Sequence, residues 1–158
     1  MPFIYDSGIH YACICIGFLG KGNIRQELYT LLKKTGFTLP SIVDPTAVLA
    51  KNVSIGEGTF IGKGAVINSN VIIGKMIIIN TAAVIEHDCI IDSFTHIATG
   101  AVLCGAVQVG QAAFVGANTT VIQEITIEKG TVIGAGSIVI ENICEEGTYV
   151  GNPVRRVK

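Results

Sequence analysis

At 158 residues, 49 % of them hydrophobic and 15 % charged, the chain suits one compact domain with a small appendage and is too apolar to be disordered. Eleven Lys and Arg against 12 Asp and Glu leave a net charge of −1, so no general basic field exists to attract nucleic acid or an anionic membrane. The longest apolar stretch, around Tyr11–Leu19, is about half of the roughly 18 residues a membrane span needs, and Met1–His10 lacks the zones of a signal peptide; a cytoplasmic protein without membrane insertion is expected.

Residues 1–41 read as a partial α/β segment. Tyr11 to Ile16 is expected as a short buried strand, Gly17 to Gly22 as a tight turn, and Asn23 to Thr35 as a helix. Asn23 is a plausible N-cap with Gln26 three residues on, Ile24, Leu28, Leu31 and Leu32 form an apolar stripe, and Gly36 closes the end. The Gly17–Gly22 string lacks the spacing G-x-G-x-x-G, which argues against a dinucleotide site. Five cysteines (Cys13, Cys15, Cys89, Cys104 and Cys144) are an odd number with no C-x-x-C pair, and buried free thiols are expected.

From residue 42 to 141 a period of six governs the chain. Every sixth residue from Val43 through Leu49, Ile55 and Ile61 to Val139 is aliphatic, 17 positions without a miss. With about a third of residues being Ile, Leu or Val, chance would give such a run on the order of once in 10⁸. Two residues before each of these stands a second column of small or β-branched residues such as Ala65, Val71 and Thr95, and after it a third with frequent glycine, as at Gly56, Gly62, Gly74, Gly110, Gly116 and Gly134, which reads as the turn. A strand and a turn every six residues wrap a chain round a triangular prism, three hexads per coil, with coils about 4.8 Å apart. About five and a half coils are expected. Residues 142–158 leave the pattern as a polar tail with Gly and Pro.

Several strings carry a more specific message: Val43-Asp-Pro-Thr-Ala47, Ile78-Ile-Asn-Thr-Ala82, Ile85-Glu-His-Asp-Cys89, His96-Ile-Ala-Thr-Gly100, Ile133-Gly-Ala-Gly-Ser137 and Val150-Gly-Asn-Pro153. Together they resemble the left-handed parallel β-helix (hexapeptide-repeat) acyltransferases, in the branch of the sialic-acid O-acetyltransferases and UDP-amino-sugar N-acetyltransferases. The resemblance spans residues 11 to 158 and implies an all-β solenoid of left hand. It also implies acetyl-CoA as co-substrate, a sugar or nucleotide-sugar acceptor from surface-glycan biosynthesis, no metal, and a homotrimer with sites between subunits. Members usually begin with a complete nucleotide-binding βαβ domain, of which this sequence shows only a final strand and helix. The family pattern also has His where Asp44 stands and Ala where Val154 stands.

Acyl transfer from a thioester needs a base for the attacking group, a donor for the developing oxyanion, and a groove for the carrier. His87 falls at a corner of the prism and is expected to project outward. In the family the histidine of this string is the base and the acidic residue after it orients it, which gives Asp88 that part, with Glu86 as the alternative. Gly105 lies 18 residues after His87, one full coil, so it stacks on it in the next layer. The resemblance makes its backbone amide the donor to the thioester oxygen. His96, nine residues on, is half a coil round and can meet His87 only across a subunit boundary, where the family has it placing thioester or acceptor. Asn80 matches an acceptor-contacting asparagine. Gly116, Ala117, Gly134 and Ala135 offer small residues and exposed amides for a pantetheine arm, and Asn152 and Pro153 with Arg155, Arg156 and Lys158 suit the carrier's phosphates. Outward Phe60, Ile78 and Phe114 point to an oligomer.

Two other readings stand beside this one. A zinc enzyme on the same prism, as in the carbonic anhydrases that resemble it, needs three converging imidazoles, whereas the chain has His10, His87 and His96 with His10 outside the coils. A trimeric scaffold without catalysis, lacking an acceptor domain, is the third.

Overall fold

The structure, a computed structural model, describes residues 2–20 and 22–157. Two-residue strands recur every six residues from Ile42–Val43 to Ile138–Val139, and strands 18 residues apart pair in parallel, as Ile78–Ile79 does with His96–Ile97. They form sheets of eight, six and five strands, the three walls of a β-solenoid of about six turns, of the left-handed β-helix class. The first wall includes Phe60, Ile78, His96 and Phe114, the second Val48, Val66, Val84 and Val102, and the third Ile72, Ile90 and Gln108.

Alternation along each strand sends its second residue inward. Ile61, Ile79, Ile85, Ile97 and Leu103 are accordingly fully buried. The small-residue column fills the rest of the interior, and its hydroxyls need partners there. Thr59, Thr95 and Thr119 each donate to a carbonyl 15 residues on, at 2.9, 3.1 and 3.0 Å. Cys89 stands in the same column and its thiol does the same toward the Cys104 carbonyl at 3.2 Å. At the first coil the aliphatic column is less covered, and Val43 is exposed.

The glycine column does not make the turns. The left-handed backbone sits two residues later, at Gly58, Gly64, Asn70, Met76, Ala82 and Asp88 among others. Gly56, Gly110 and Gly116 are glycines because a Cβ would meet the backbone of the next coil at 2.5 to 2.6 Å.

The appendage differs from expectation in several respects. A helix α1 (Pro2–Asp6) precedes the segment expected as a strand. Residues 11–16 form no strand: only Tyr11 bridges to Thr38, because no further strand lies beside the segment, and Cys13, Cys15 and Ile16 are exposed. Helix α2 (Ile24–Thr35) does form, and Gly36 closes it in the left-handed conformation at φ 104. Asn23 stands at its N-cap without a side-chain cap. Its buried face is Arg25 and Leu32, with Tyr29 half-buried, whereas Ile24 and Leu31 are exposed. The reason lies on the solenoid, where the corner residues Met76 and Phe94 project outward and cluster with Leu32, Phe37, Leu39 and Tyr29.

Two more corrections concern the cysteines and the tail. Cys13, Cys15 and Cys144 are exposed, and only Cys89 is buried. The tail extends the solenoid: Thr148–Val150 pairs in parallel with Val132–Ile133, Arg155–Arg156 returns antiparallel, and Ile143 is buried at its end. No helix among the described residues is long and apolar enough to cross a membrane.

Candidate active site

His87 occupies the corner between the second and third walls and is 58 % exposed. Its Nδ1 lies 2.8 Å from Asp88 Oδ2. A carboxylate only accepts, so Nδ1 carries a proton, and in the neutral imidazole the lone pair is then on Nε2. Between the two acidic neighbours the sequence left open, Asp88 is the partner. Its backbone takes the left-handed conformation at φ 61. Hydrogen bonds from the His87 ring first and the Asn70 amide second hold the Asp88 carboxyl below the usual carboxylate range.

Gly105, one coil on, lies directly against the ring. A Cβ there would stand 2.7 Å from both Cε1 and Nε2 of His87, so glycine is what lets the imidazole lie flat on the corner. The Gly105 carbonyl accepts from Glu124 N–H at 2.9 Å, while its own N–H donates to no described residue. The His87 imidazole and a backbone N–H that donates to no described residue are thus stacked one coil apart.

The second group lies on the first wall. His96 is buried beneath the chain at 17–20, and its Nδ1 donates to the Phe18 carbonyl at 2.6 Å. Nε2 is then an acceptor, 3.3 Å from Asn80 Nδ2, and Asn80 Oδ1 accepts from Thr81 N–H at 2.8 Å. Burial, aided by the charge of Arg25, pushes the His96 imidazole below its ordinary value, against the pull of the Phe18 carbonyl. Asn80 and His96 border a groove of about 320 Å³ with Phe60, Ile78, Cys13 and Cys15. Phe60 and Ile78 line this groove with the chain's own segment 13–17, Phe60 remaining 40 % exposed, and Phe114 packs edge-on against His96. The second wall is apolar as well: Val48 is 62 % exposed and Val66, Val84, Val102 and Ile138 are half-buried.

His87 and His96 are on different parts of the prism and make no contact, and His10 packs against Tyr5. Among the described residues no three His, Cys, Asp or Glu are grouped to hold a metal.

The carrier residues are only partly as expected. Gly116 and Gly134 spend their amides inside the solenoid, on the Ile133 and Tyr149 carbonyls at 2.9 and 2.8 Å, because each begins a rung of the coil-to-coil ladder. The N–H groups of Ala117 and Ala135 donate to no described residue. Asn152 and Pro153 form an exposed cis peptide, Arg155 is exposed, and Arg156 pairs with Glu145. Lys158 lies outside the described residues.

Four residues beside these two groups escaped the sequence reading. Phe18 acts through its carbonyl, which no side-chain pattern betrays. Arg25 is buried with its Nη2 on the Met76 carbonyl at 2.5 Å, where the charged residue type gives no sign of burial. Asn52 and Asn70 stand at 18-residue spacing below Asp88, a signal visible to a search of the corner columns for stacked amides.

The sequence matches no family model and no curated protein; its likeness is to solved structures. Perosamine N-acetyltransferase from Caulobacter crescentus, a histidine variant in complex with CoA and GDP-perosamine, shares 32 % identity over 99 % of this chain and 73 % of that one, with a TM-score of 0.95. The acetyltransferase domain of PglB from Neisseria gonorrhoeae FA1090, in complex with acetyl coenzyme A, shares 27 % over 99 % and 77 %, with a TM-score of 0.90. WeeI from Acinetobacter baumannii AYE shares 25 % over 93 % and 70 %, at 0.76. With the hexads, the stacked His87 and Gly105 and this likeness together, the chain belongs to the hexapeptide-repeat β-helix sugar acyltransferases.

Proposed function

We propose that the chain moves an acetyl group from acetyl-CoA to an amine of a nucleotide-linked sugar, with His87 as general base. The observation that carries this reading is the His87–Asp88 pair stacked on Gly105. His87 Nε2 takes the proton from the attacking amine as its nitrogen bonds to the thioester carbon. The Gly105 N–H holds the charge that develops on the carbonyl oxygen, and the C–S bond then breaks, the sulfur leaving as a thiol with the proton. The free N–H groups of Ala117 and Ala135, further along the solenoid, suit the amide oxygens of the carrier arm. The amine is preferred to a hydroxyl on the strength of the N-acetyltransferase at 32 % identity. A cytoplasmic role in surface-glycan assembly is the setting that goes with such an acceptor.

The working unit is a homotrimer with sites between subunits. His87 lies on an open surface, while the groove bounded by Asn80 and His96 belongs to another wall. The apolar second wall between them is the face a neighbouring copy would cover, bringing one subunit's groove to the next subunit's base.

The test is thiol release from acetyl-CoA with a panel of nucleotide-linked amino sugars, amino sugars and sialic acid. Turnover with an acetylated amine as product supports the reading, and an acetylated ester corrects the acceptor. Binding of acetyl-CoA without turnover on any acceptor would favour the scaffold.

A further inference from the structure

We propose that Asn70, backed by Asn52, is a positioning residue for His87 and acts on it through Asp88; this rests on the reading of His87 as the base. Asn52, Asn70 and Asp88 stand 18 residues apart at one corner of three successive coils. Asn52 Nδ2 donates to Asn70 Oδ1, Asn70 Nδ2 donates to Asp88 Oδ1 at 2.9 Å, and Asp88 Oδ2 faces His87 Nδ1 at 2.8 Å. The chemistry of the last member dictates the direction of the whole chain. A carboxylate has no hydrogen to give, so Asn70 must turn its NH₂ to Asp88 and its oxygen to Asn52, which must answer with its own NH₂.

The ladder has one consequence for catalysis. Asp88 is a surface carboxylate, 52 % exposed, and water competes for both of its oxygens. Its backbone is held by Asp88 N–H on the Ser69 carbonyl at 3.0 Å, but nothing in the backbone selects its side-chain rotamer. By occupying Oδ1, Asn70 leaves Oδ2 aimed at Nδ1 and so keeps the proton on Nδ1 and the lone pair on Nε2, the tautomer a base needs. Above Asp88 the column continues with Ala106, so support comes only from below.

The test reads the imidazole directly. Nitrogen NMR of His87 in the parent protein is expected to show a protonated Nδ1 and a bare Nε2. In Asn70→Ala, and in the isosteric Asn70→Asp, whose carboxylate gives no hydrogen to Asp88 at neutral pH, a mixture of tautomers is expected. kcat falls about tenfold, the size of one charge-assisted hydrogen bond, with the KM for acetyl-CoA and the melting temperature little changed. Asn52→Ala, one step removed, falls less.

If the tautomer and kcat are unchanged in both Asn70 variants while His87→Ala is inactive, the positioning role is wrong and the base stands. If His87→Ala keeps full activity, the base reading fails and the positioning role with it. A ladder that serves stability alone would lower the melting temperature and leave the tautomer as in the parent, which also overturns the proposal.

Discussion

The His87 ring occupies the space that a side chain at residue 105 would fill, a Cβ on Gly105 coming within 2.7 Å of its Cε1 and Nε2. Gly105 is not at a left-handed backbone position, so Gly105→Ala strains no torsion; it tilts the imidazole off the corner. Activity is expected to fall by about 10²-fold, in the range for a misplaced base or lost oxyanion donor, with the melting temperature within a few degrees of the parent. Steady-state kinetics beside a thermal melt check this, and a fully active Gly105→Ala would dissociate the glycine from the site.

The proposed placement of sites between subunits of a homotrimer is tested by complementation. His87→Ala retains the groove and Asn80→Ala retains the base, so each alone should be nearly inactive as a homotrimer. Unfolded together in equal amounts and refolded, they should regain activity at about a quarter of the sites, the random fraction pairing a good base with a good neighbouring groove. Mixtures no better than the separate variants would show that each chain works alone.

Burial of neutral His96 gives stability an acid dependence. Its folded value lies below the ordinary 6.5, so on lowering the pH the unfolded chain takes up the proton first. The contribution is full above pH 6.5 and declines as the pH drops through it toward the folded value. Thermal melts at pH 5 and pH 7.5 should differ by more in the parent than in His96→Gln. An equal difference in both would place the acid sensitivity elsewhere.

Helix α2 is tied to the solenoid by Tyr29, whose hydroxyl donates to Glu57 Oε1 at 2.5 Å, and by Lys33 on the other carboxylate oxygen at 2.9 Å. The bond to Glu57 first, then burial, push the Tyr29 phenol up to about 12. The stabilisation is therefore complete below the ordinary phenol value of about 10 and is lost as pH rises through about 12. Tyr29→Phe should cost about 1 kcal/mol at neutral pH, and a parent and variant that melt alike at pH 8 would contradict the tie.

A core substitution should behave differently. Leu103→Ala, at a fully buried inward position, removes packing on all three walls and should cost about 2–5 kcal/mol, with activity lost in step with folding. A loss of activity in fully folded Leu103→Ala would mean that the interior transmits to the site in a way packing does not explain.

The solenoid was legible because one side chain in six must be large and apolar to fill a narrow prism, and the column from Val43 to Val139 says so without exception. The stacking of Gly105 on His87 followed from the same arithmetic of 18 residues per coil. Residues 11–16 misled because an apolar string marks burial only if a partner strand exists, and here Thr38 alone answers Tyr11. The stripe of α2 misled similarly: Met76 and Phe94, projecting from turns, chose the face with Arg25 and Leu32. The contact of Phe18 with His96 was not legible because it uses a backbone carbonyl, which every residue has.

The most direct test of the account is the rate of thiol release from acetyl-CoA with the accepting amino sugar, measured for the parent and His87→Ala, with acetyl-CoA affinity measured on both. Turnover is expected in the parent, with a fall of about 10²–10⁴ in kcat for the variant and affinity unchanged within about twofold. Equal rates in parent and variant would contradict a general base at His87.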